Sequence, residues 1–304
     1  MLAEIFYWLF NMSIAASVTG CVLLLLRRIR WVPRRVTAAL WAIPFLRMWI
    51  PVGIGSDWGL LPLLSRITTR TVTVFFPGTG EEFPMSNWVR AANRYFPITY
   101  KTELLAGVFS AASAVWAVVG GAIALTLVIL YVTTLREIRD ARPLRGRVYV
   151  SDKVTAPALY GVFRPKIVVS SATAEEGGGF WLLHEQTHLK RGDNLWRILA
   201  FATAALHWFN PLAWVFLKCF LADLELACDE GVLRSLTEEE RKGYALALVA
   251  EAENKTLFVS AFGGAKLKTR IERILSFKKM TAVSFGAFAL VAGAVGYLLL
   301  TNPT

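Results

Sequence analysis

The stretch FWLLHEQTHLKR, residues 180–191, contains two of the three histidines in a chain of 304 residues. His184 and His188 are four positions apart, a spacing that puts both side chains on one face of an α-helix. Glu185 lies between them, and the pattern His-Glu-x-x-His is typical of zinc sites in which the glutamate acts as the base. The apolar start of the stretch favours a buried helix over a surface helix with incidental histidines. We therefore predict a zinc site with His184 and His188 as ligands and Glu185 as the catalytic acid and base.

A third ligand is needed, because a catalytic zinc site has three protein ligands and one position open to water. The candidates are the remaining histidine, His207, and the acidic residues of ADLELACDEGVL, residues 222–233. Glu225 and Asp229 are four apart and share a helix face with apolar residues, so this face is predicted to point inward. We predict Glu225 as the third metal ligand and Asp229 as the acceptor for the distal N–H of a ligand histidine.

The composition is that of a membrane protein, since 55% of the residues are hydrophobic, 18% are charged and the mean hydropathy is +0.49. A soluble domain has about 25% charged residues. Three uncharged stretches exceed the roughly 20 residues that cross a bilayer: 5–26, 104–135 and 280–304. Residues 36–54 are a weaker fourth span, because they contain Arg47 and two prolines. We predict that this span is a short, broken or bundle-packed helix.

Basic residues are concentrated in three connections that flank the spans: 27–35, 136–147 and 265–279. Because basic connections mark the cytosolic side of a membrane protein, both termini and the connection 55–103 are predicted to be outside. Membrane topology thereby accounts for the net charge of +11, and direct nucleic-acid binding is not expected. The predicted units follow in chain order: spans one and two with their basic cytosolic loop (1–54), an extracellular loop (55–103), span three (104–135), a cytosolic zinc domain (136–279) and span four (280–304).

Residues 198–217 are uncharged over the length of a span, but Asn210 and Pro211 interrupt them. Asparagine is a good helix N-cap, and proline suits the first position of a helix. We therefore predict an apolar helical hairpin within the zinc domain, residues 194–234, made of helices 194–208 and 211–234.

The hairpin is also required by the zinc site. If residues 198–217 crossed the bilayer, His184 and Glu225 would lie about 30 Å apart on opposite sides. His207 would lie at the hairpin turn, where it is either a transition-state stabiliser or, as is more common for a lone histidine, a structural residue.

Strand-like runs punctuated by prolines precede the zinc helix and predict a small antiparallel sheet: 147–150, 159–162 and 166–170.

The runs HEQTHLKRGDNLWR, LHWFNPLAWV and DLELACDEGVL resemble the BlaR/MecR-type membrane zinc metallopeptidases, the transducer half of β-lactam sensors. APALYGVFRPKIVVS resembles the strand segment before the zinc helix of that family. The resemblance covers almost the whole chain and implies a mainly α, polytopic protein of the bacterial plasma membrane. Its four transmembrane helices would carry a cytosolic, gluzincin-like zinc domain between spans three and four. The implied site has His184, His188 and Glu225 as zinc ligands and Glu185 as the catalytic residue.

The resemblance also implies a substrate, a cytosolic transcriptional repressor that is cut in response to an external signal. The best-known members of the family continue into an extracellular penicillin-binding domain, whereas this sequence stops at Thr304. An antibiotic signal would then require a longer chain or another sensor. Besides the substrate, the predicted partners are membrane lipid and either a separate sensor protein or a second copy of the chain. Two other functions are left open: a membrane quality-control protease and a non-proteolytic signalling subunit with structural zinc. Glu185 disfavours the second, because a structural site has no use for a base.

Overall fold

The computed structural model describes residues 1–29, 32–50, 54–55, 103–175, 179–253, 265–277 and 282–302. Its helices are α1 (Leu2–Leu26), α2 (Arg34–Leu40), α3 (Ala42–Trp49), α4 (Glu103–Glu137), α5 (Ser171–Glu175), α6 (Gly179–Arg191), α7 (Asp193–Leu206), α8 (Pro211–Leu233), α9 (Glu238–Glu253), α10 (Leu267–Leu275) and α11 (Ala282–Leu300). Its strands are β1 (Ile54–Gly55), β2 (Arg142–Arg145), β3 (Val148–Val150), β4 (Ala158–Tyr160), β5 (Lys166–Val169) and β6 (Thr301–Asn302). The described part of the chain is therefore mainly helical, as the sequence predicted.

Among the residues that the structure describes, two helices are long and apolar enough to cross a membrane, α1 and the part of α4 from Gly107 to Glu137. They correspond to the first and third predicted spans. Helix α11 has 19 residues, all uncharged, at the position of the fourth predicted span. Apart from its two ends, the predicted extracellular connection 55–103 lies outside the described residues.

The second predicted span is broken into the short helices α2 and α3. Pro44, in the first turn of α3, has no N–H to donate to the carbonyl of Leu40, so a continuous helix would lose a hydrogen bond here. Arg47 of α3 is buried inside the protein. The segment thus has the broken, bundle-packed form that its prolines and its arginine predicted.

Helices α7 and α8 form the hairpin that Asn210 and Pro211 predicted. The Asn210 side chain accepts a hydrogen bond of 2.9 Å from the backbone N–H of Leu212, and Pro211 is the first residue of α8. The same side chain donates to Oγ of Ser13 (2.7 Å) and of Ser17 (2.9 Å) on α1. The hairpin turn therefore lies beside the middle of α1.

Close packing of the hairpin on α1 depends on Gly20. A Cβ atom at this position would lie 2.1 Å from Cζ of Phe216 on α8, so a side chain larger than hydrogen has no room. Trp41 and Met48 join Phe216 in the same buried apolar cluster. Burial of these large side chains, at about 25 cal/mol per Å² of apolar surface, holds α1, α2, α3 and the hairpin in one bundle.

A small sheet packs against α6 and has the strand order β2-β3-β5-β4. Its outer pairs are antiparallel, but β3 and β5 are parallel. The predicted antiparallel sheet was therefore wrong, because the sheet is mixed. Strand β4 folds back through Gly161 to pair with β5 and takes the outer position, so β5 enters the sheet beside β3 in the same direction. Prolines between strand-like runs mark the turns but do not indicate which strands pair.

Two carboxylates tie α8 to the basic connection that follows α1. Asp223 is fully buried and accepts hydrogen bonds from Arg27 Nε (2.7 Å), Arg34 Nη1 (3.2 Å) and Trp41 Nε1 (2.9 Å). Glu230 accepts from the backbone N–H of Arg34 at 2.9 Å and so caps the N-terminus of α2. The C-terminal half of α8 is therefore held at the C-terminal end of α1, beside the predicted cytosolic loop.

Replacement of Asp223 by alanine is expected to destabilise the fold by about 3–5 kcal/mol, because it leaves the largely buried Arg34 without its anion. A matched control is Glu272→Ala, since Glu272 is exposed and lies 4.0 Å from Lys268. This change should alter stability by less than about 0.5 kcal/mol. Thermal unfolding in detergent, followed by circular dichroism, would measure both variants. Equal midpoints for the two variants would contradict the role assigned to Asp223.

Candidate metal centre

The two motif histidines lie buried where α6 packs against α8. Close approach of these helices requires Gly231 on α8, where a Cβ atom would lie 2.9 Å from Cγ2 of Thr187 on α6. His184 and His188 both point into the interface, and their Nε2 atoms are 3.1 Å apart. The helical spacing of the motif thus produces the predicted pair of converging imidazoles.

The carboxylate of Glu225 on α8 completes a triangle with these two nitrogens. One oxygen lies 3.6 Å from His184 Nε2, and the other lies 3.6 Å from His188 Nε2. Arg197 of α7 donates a hydrogen bond of 2.5 Å to the second oxygen. The hairpin therefore brings the predicted third ligand to the motif histidines and adds a cation that holds its carboxylate in place.

The other ring nitrogen of His188 is held by a residue that the sequence analysis did not select. Nδ1 of His188 donates to Oδ2 of Asp193 at 2.6 Å, and Asp193 is buried. Gly192 ends α6 with a positive φ of 67°, which turns the chain so that α7 begins with Asp193 beside the preceding helix. The signal available in the sequence was a glycine followed by an acidic residue, five positions after His188.

The other ring nitrogen of His184 contacts a tyrosine hydroxyl, and this hydroxyl is hydrogen-bonded to Asp229. His184 Nδ1 lies 2.9 Å from the hydroxyl of Tyr244, which donates to Asp229 Oδ1 at 2.6 Å. Arg270 donates two bonds of 2.7 Å to the same carboxylate. Asp229 was predicted to accept directly from a ligand histidine, but it is 3.5 Å from His184 Nδ1 and bonds to Tyr244 instead.

These partners assign the protons of both rings. Asp193 is a carboxylate that only accepts, so Nδ1 of His188 carries the hydrogen. The hydroxyl hydrogen of Tyr244 is used toward Asp229, so its oxygen accepts from Nδ1 of His184. In neutral rings both Nε2 atoms then carry lone pairs, and these face each other and the carboxylate of Glu225. Such an arrangement needs a cation, and the donor set of two imidazoles and one carboxylate fits zinc.

The electrostatics of the site favour positive charge beside its carboxylates. Burial acts to lower the pKa of His188, but the carboxylates of Glu225 and Asp193 outweigh it and raise that pKa well above its ordinary value. Burial also raises the pKa of the half-buried Glu185, while positive charge on His184 and His188 opposes this rise. A raised pKa suits a carboxylate that must both take and return a proton near neutral pH.

Cys228 is a further candidate ligand close to the histidines. Donor atoms of His184, His188 and Cys228 lie within 4.8 Å of one another. The thiol is nearest to Nδ1 of His184, at 3.6 Å, and donates to the backbone carbonyl of His184 at 3.4 Å. Cys228 therefore lies on the Nδ1 side of the ring, while Glu225 lies on the Nε2 side.

Comparison with known proteins places the chain in a family. The profile described as BlaR1 peptidase M56 matches residues 7–274. The chain belongs to the BlaR1 peptidase M56 family. Regulatory protein BlaR1 of Bacillus licheniformis is 29% identical over 160 residues, which are 48% of this chain and 26% of that protein. Methicillin resistance mecR1 protein of Staphylococcus aureus is 25% identical over 103 residues, which are 33% of this chain and 18% of that protein.

This M56 chain thus matches about a quarter or less of the length of either relative. The family is that of a metallopeptidase, and the pair His184 and His188 with Cys228 nearby is consistent with a zinc site. Both results agree with the resemblance that the motif and the hairpin had indicated.

The structure does not bring His207 to the metal site of this M56 peptidase. Its Nε2 donates to the backbone carbonyl of Met48 at 3.0 Å, and its ring packs 6.0 Å from Phe209. Helix α7 has 14 residues and separates His207 from Asp193 by about 20 Å. These contacts favour the structural role that was the alternative prediction for His207 over a role as transition-state stabiliser.

Replacement of Asp193 by alanine is expected to weaken zinc binding about 10–100-fold without abolishing it. The change removes the acceptor that fixes the tautomer and orientation of the His188 ring, but it leaves Glu225 and both histidines in place. Asp152→Ala is a suitable control, because Asp152 is exposed and bonds to Ser171 outside the site. Competition with a zinc chelator would measure both affinities. Wild-type affinity in Asp193→Ala would show that this hydrogen bond does not support the ligand.

Proposed function

We propose that this M56 chain is a membrane-embedded zinc peptidase that cuts a cytosolic protein as part of signal transduction. The observation that carries the proposal is the convergence of two imidazole Nε2 atoms, 3.1 Å apart, on the carboxylate of Glu225. Glu185 follows the first of these histidines, as a catalytic base in this motif requires. A structural zinc site would not require such a base.

His184, His188 and Glu225 would hold the metal. Separations of 3.1 and 3.6 Å between their donor atoms are close to the roughly 3.3 Å expected for ligands about 2.0–2.1 Å from one tetrahedral ion. Cys228 is the less suitable third ligand, because it approaches the nitrogen of His184 that already bonds to Tyr244. When bound, zinc supplies a Lewis acid that polarises a peptide carbonyl and makes water more acidic.

The chemistry of the chain itself centres on the carboxylate of Glu185. We propose that it takes the proton from the attacking water and gives it to the amine that leaves when the peptide bond breaks. Tyr160 of β4 is close enough to Glu185 that the carboxylate contributes to the raised pKa of its phenol, after the larger effect of burial and that of Glu137. Strand β4 would therefore form one wall of the substrate cleft.

The proposed location is a bacterial plasma membrane, with both termini outside and the site facing the cytosol. Support comes from the two helices long and apolar enough to cross a membrane. It also comes from Asp223, which lies two residues before Glu225 and bonds to Arg27, the first residue of the basic connection. If that connection is cytosolic, as the positive-inside rule predicts, the metal site lies at the cytosolic face.

The substrate proposed is a cytosolic transcriptional repressor. Support for a regulatory role comes from the relatives, one described as a regulatory protein and the other by methicillin resistance. Because this chain matches only part of each relative, the signal that activates it is a separate question, and a sensor partner or a second copy of the chain remains a prediction.

Mapping of new protein termini in the native host tests the proposal. Cells with the wild-type chain would be compared with cells that carry Glu185→Gln. We expect fragments of one or a few cytosolic proteins, including a DNA-binding repressor, that are absent in the variant. Fragments from many unrelated membrane proteins would instead indicate a quality-control protease. Identical fragments in both strains would contradict a peptidase function for the site.

A further inference from the structure

We infer that Tyr244 is a positioning residue for the ligand His184. We also infer that the position of helix α10 affects the orientation of His184, because Arg270 on α10 is hydrogen-bonded to Asp229 and Asp229 to Tyr244. The inference rests on the proposed zinc site and deepens it, because it names the element of the fold that can regulate one ligand. The chain of contacts runs from Arg270 on α10 to Asp229 on α8, then to Tyr244 on α9, and ends at His184 on α6.

The direction of each hydrogen bond in this chain is fixed. Arg270 donates twice to Asp229, at 2.7 Å for each bond, so both oxygens of the carboxylate act as acceptors. Tyr244 has one hydroxyl hydrogen, and it is donated to Asp229 at 2.6 Å. The phenol oxygen is therefore free only to accept, and it accepts from Nδ1 of His184 at 2.9 Å. A neutral His184 ring in this arrangement has its lone pair on Nε2, the nitrogen that lies 3.6 Å from the carboxylate of Glu225.

Burial makes this arrangement rigid. Tyr244 is 0% exposed, Asp229 is 3% exposed and Arg270 is 8% exposed. Loss of one partner would leave a buried charge or hydroxyl unsatisfied, which is costly away from water. The ring of Phe180 packs edge-on against Tyr244 with centroids 5.9 Å apart, so the phenol is also confined by packing.

The two ligand histidines are thus supported in different ways. His188 is held directly by Asp193, five residues away on the adjoining helix. His184 is held by Tyr244, 60 residues away, with Asp229 and Arg270 behind it. Helix α10 ends at Leu275, and the apolar helix α11 begins at Ala282. A shift of α10 relative to α8 would therefore disturb His184 and spare His188.

The first test is zinc affinity measured by chelator competition on the purified full chain. Tyr244→Phe keeps the ring and removes the hydroxyl, and Tyr149→Phe in the sheet is the matched control. We expect affinity to fall about 10–100-fold in Tyr244→Phe and to stay unchanged in the control. The visible spectrum of the cobalt(II)-loaded chain should also change in Tyr244→Phe only, since it reports ligand geometry. Unchanged affinity and spectrum in Tyr244→Phe would overturn the role of Tyr244.

The second test is a double-mutant cycle with Arg270→Lys, which keeps the charge and removes the paired donors. If Arg270 acts through Tyr244, the double variant should bind zinc about as well as Tyr244→Phe alone. Affinity losses that multiply would overturn the link from α10. The proposed zinc site fails separately: a wild-type chain that binds no zinc would contradict the site itself. Should Arg270→Lys not fold, Tyr244→Phe and its cobalt spectrum still decide the role of Tyr244.

Discussion

Glu185→Gln is expected to lower peptide cleavage by about 10²–10⁴-fold or more and to leave about one zinc bound per chain. Glutamine keeps the size of the side chain but cannot take a proton from water or return one to the leaving amine. The three residues that would hold the metal are unchanged, so metal content should be that of the wild type. Cleavage of the substrate found by terminus mapping, together with elemental analysis of the same preparation, would measure both quantities.

Loss of zinc in the Glu185→Gln variant would mean that this carboxylate belongs to the ligand set. Retention of cleavage in this variant would mean that Glu185 is not the catalytic acid and base. The combination of full metal and lost activity is the result that separates a catalytic zinc site from a structural one, because a structural site has no step for Glu185 to perform.

Glu225→Ala is expected to lose nearly all bound zinc, whereas Cys228→Ala should keep it. The two residues are one helical turn apart on α8 and both lie beside the histidines, so the pair is a matched comparison. Glu225 faces both Nε2 atoms at 3.6 Å, while the Cys228 thiol approaches Nδ1 of His184 at 3.6 Å. Elemental analysis after gel filtration with a weak chelator would measure zinc per chain.

The opposite result would reassign the third ligand. Zinc lost in Cys228→Ala and kept in Glu225→Ala would mean that His184 binds the metal through Nδ1, and the bond to Tyr244 would then have to break. Partial loss of zinc in both variants would contradict the assignment of Glu225 as a metal ligand and Cys228 as a residue outside the ligand set.

The parts of the fold that the sequence predicted are those set by local chemistry. The spacing of His184 and His188 fixes their common helix face. Asn210 and Pro211 fix the start of α8 and so convert an apolar stretch into a hairpin. Once the hairpin is known, Glu225 must return to the same end of the bundle as the histidines.

The parts that the sequence did not predict depend on contacts between distant segments. Tyr244 and Arg270 reach the site from 60 and 41 residues away from their partners His184 and Asp229, and helix periodicity carries no information on such pairs. Asp229 was correctly placed on the inward face, but an intervening hydroxyl cannot be inferred from spacing. The mixed pairing of the sheet was missed for the same reason.

Asp193 and His207 illustrate two further limits. Asp193 is near His188 in the sequence, yet its role depends on the left-handed turn at Gly192, which spacing alone does not reveal. His207 was considered because histidine is rare in this chain, but rarity does not place a residue. Its position at the far end of α7 follows from helix length, about 20 Å for the 14 residues of α7.

The most direct test of the central claim is X-ray absorption at the zinc edge on the purified, zinc-loaded chain. A site built from His184, His188 and Glu225 predicts only nitrogen and oxygen neighbours, at about 2.0–2.1 Å, with the scattering pattern of two imidazoles. The spectrum should be unchanged in Cys228→Ala. A sulfur neighbour at about 2.3 Å would contradict the account, because it would put Cys228 on the metal in place of Glu225.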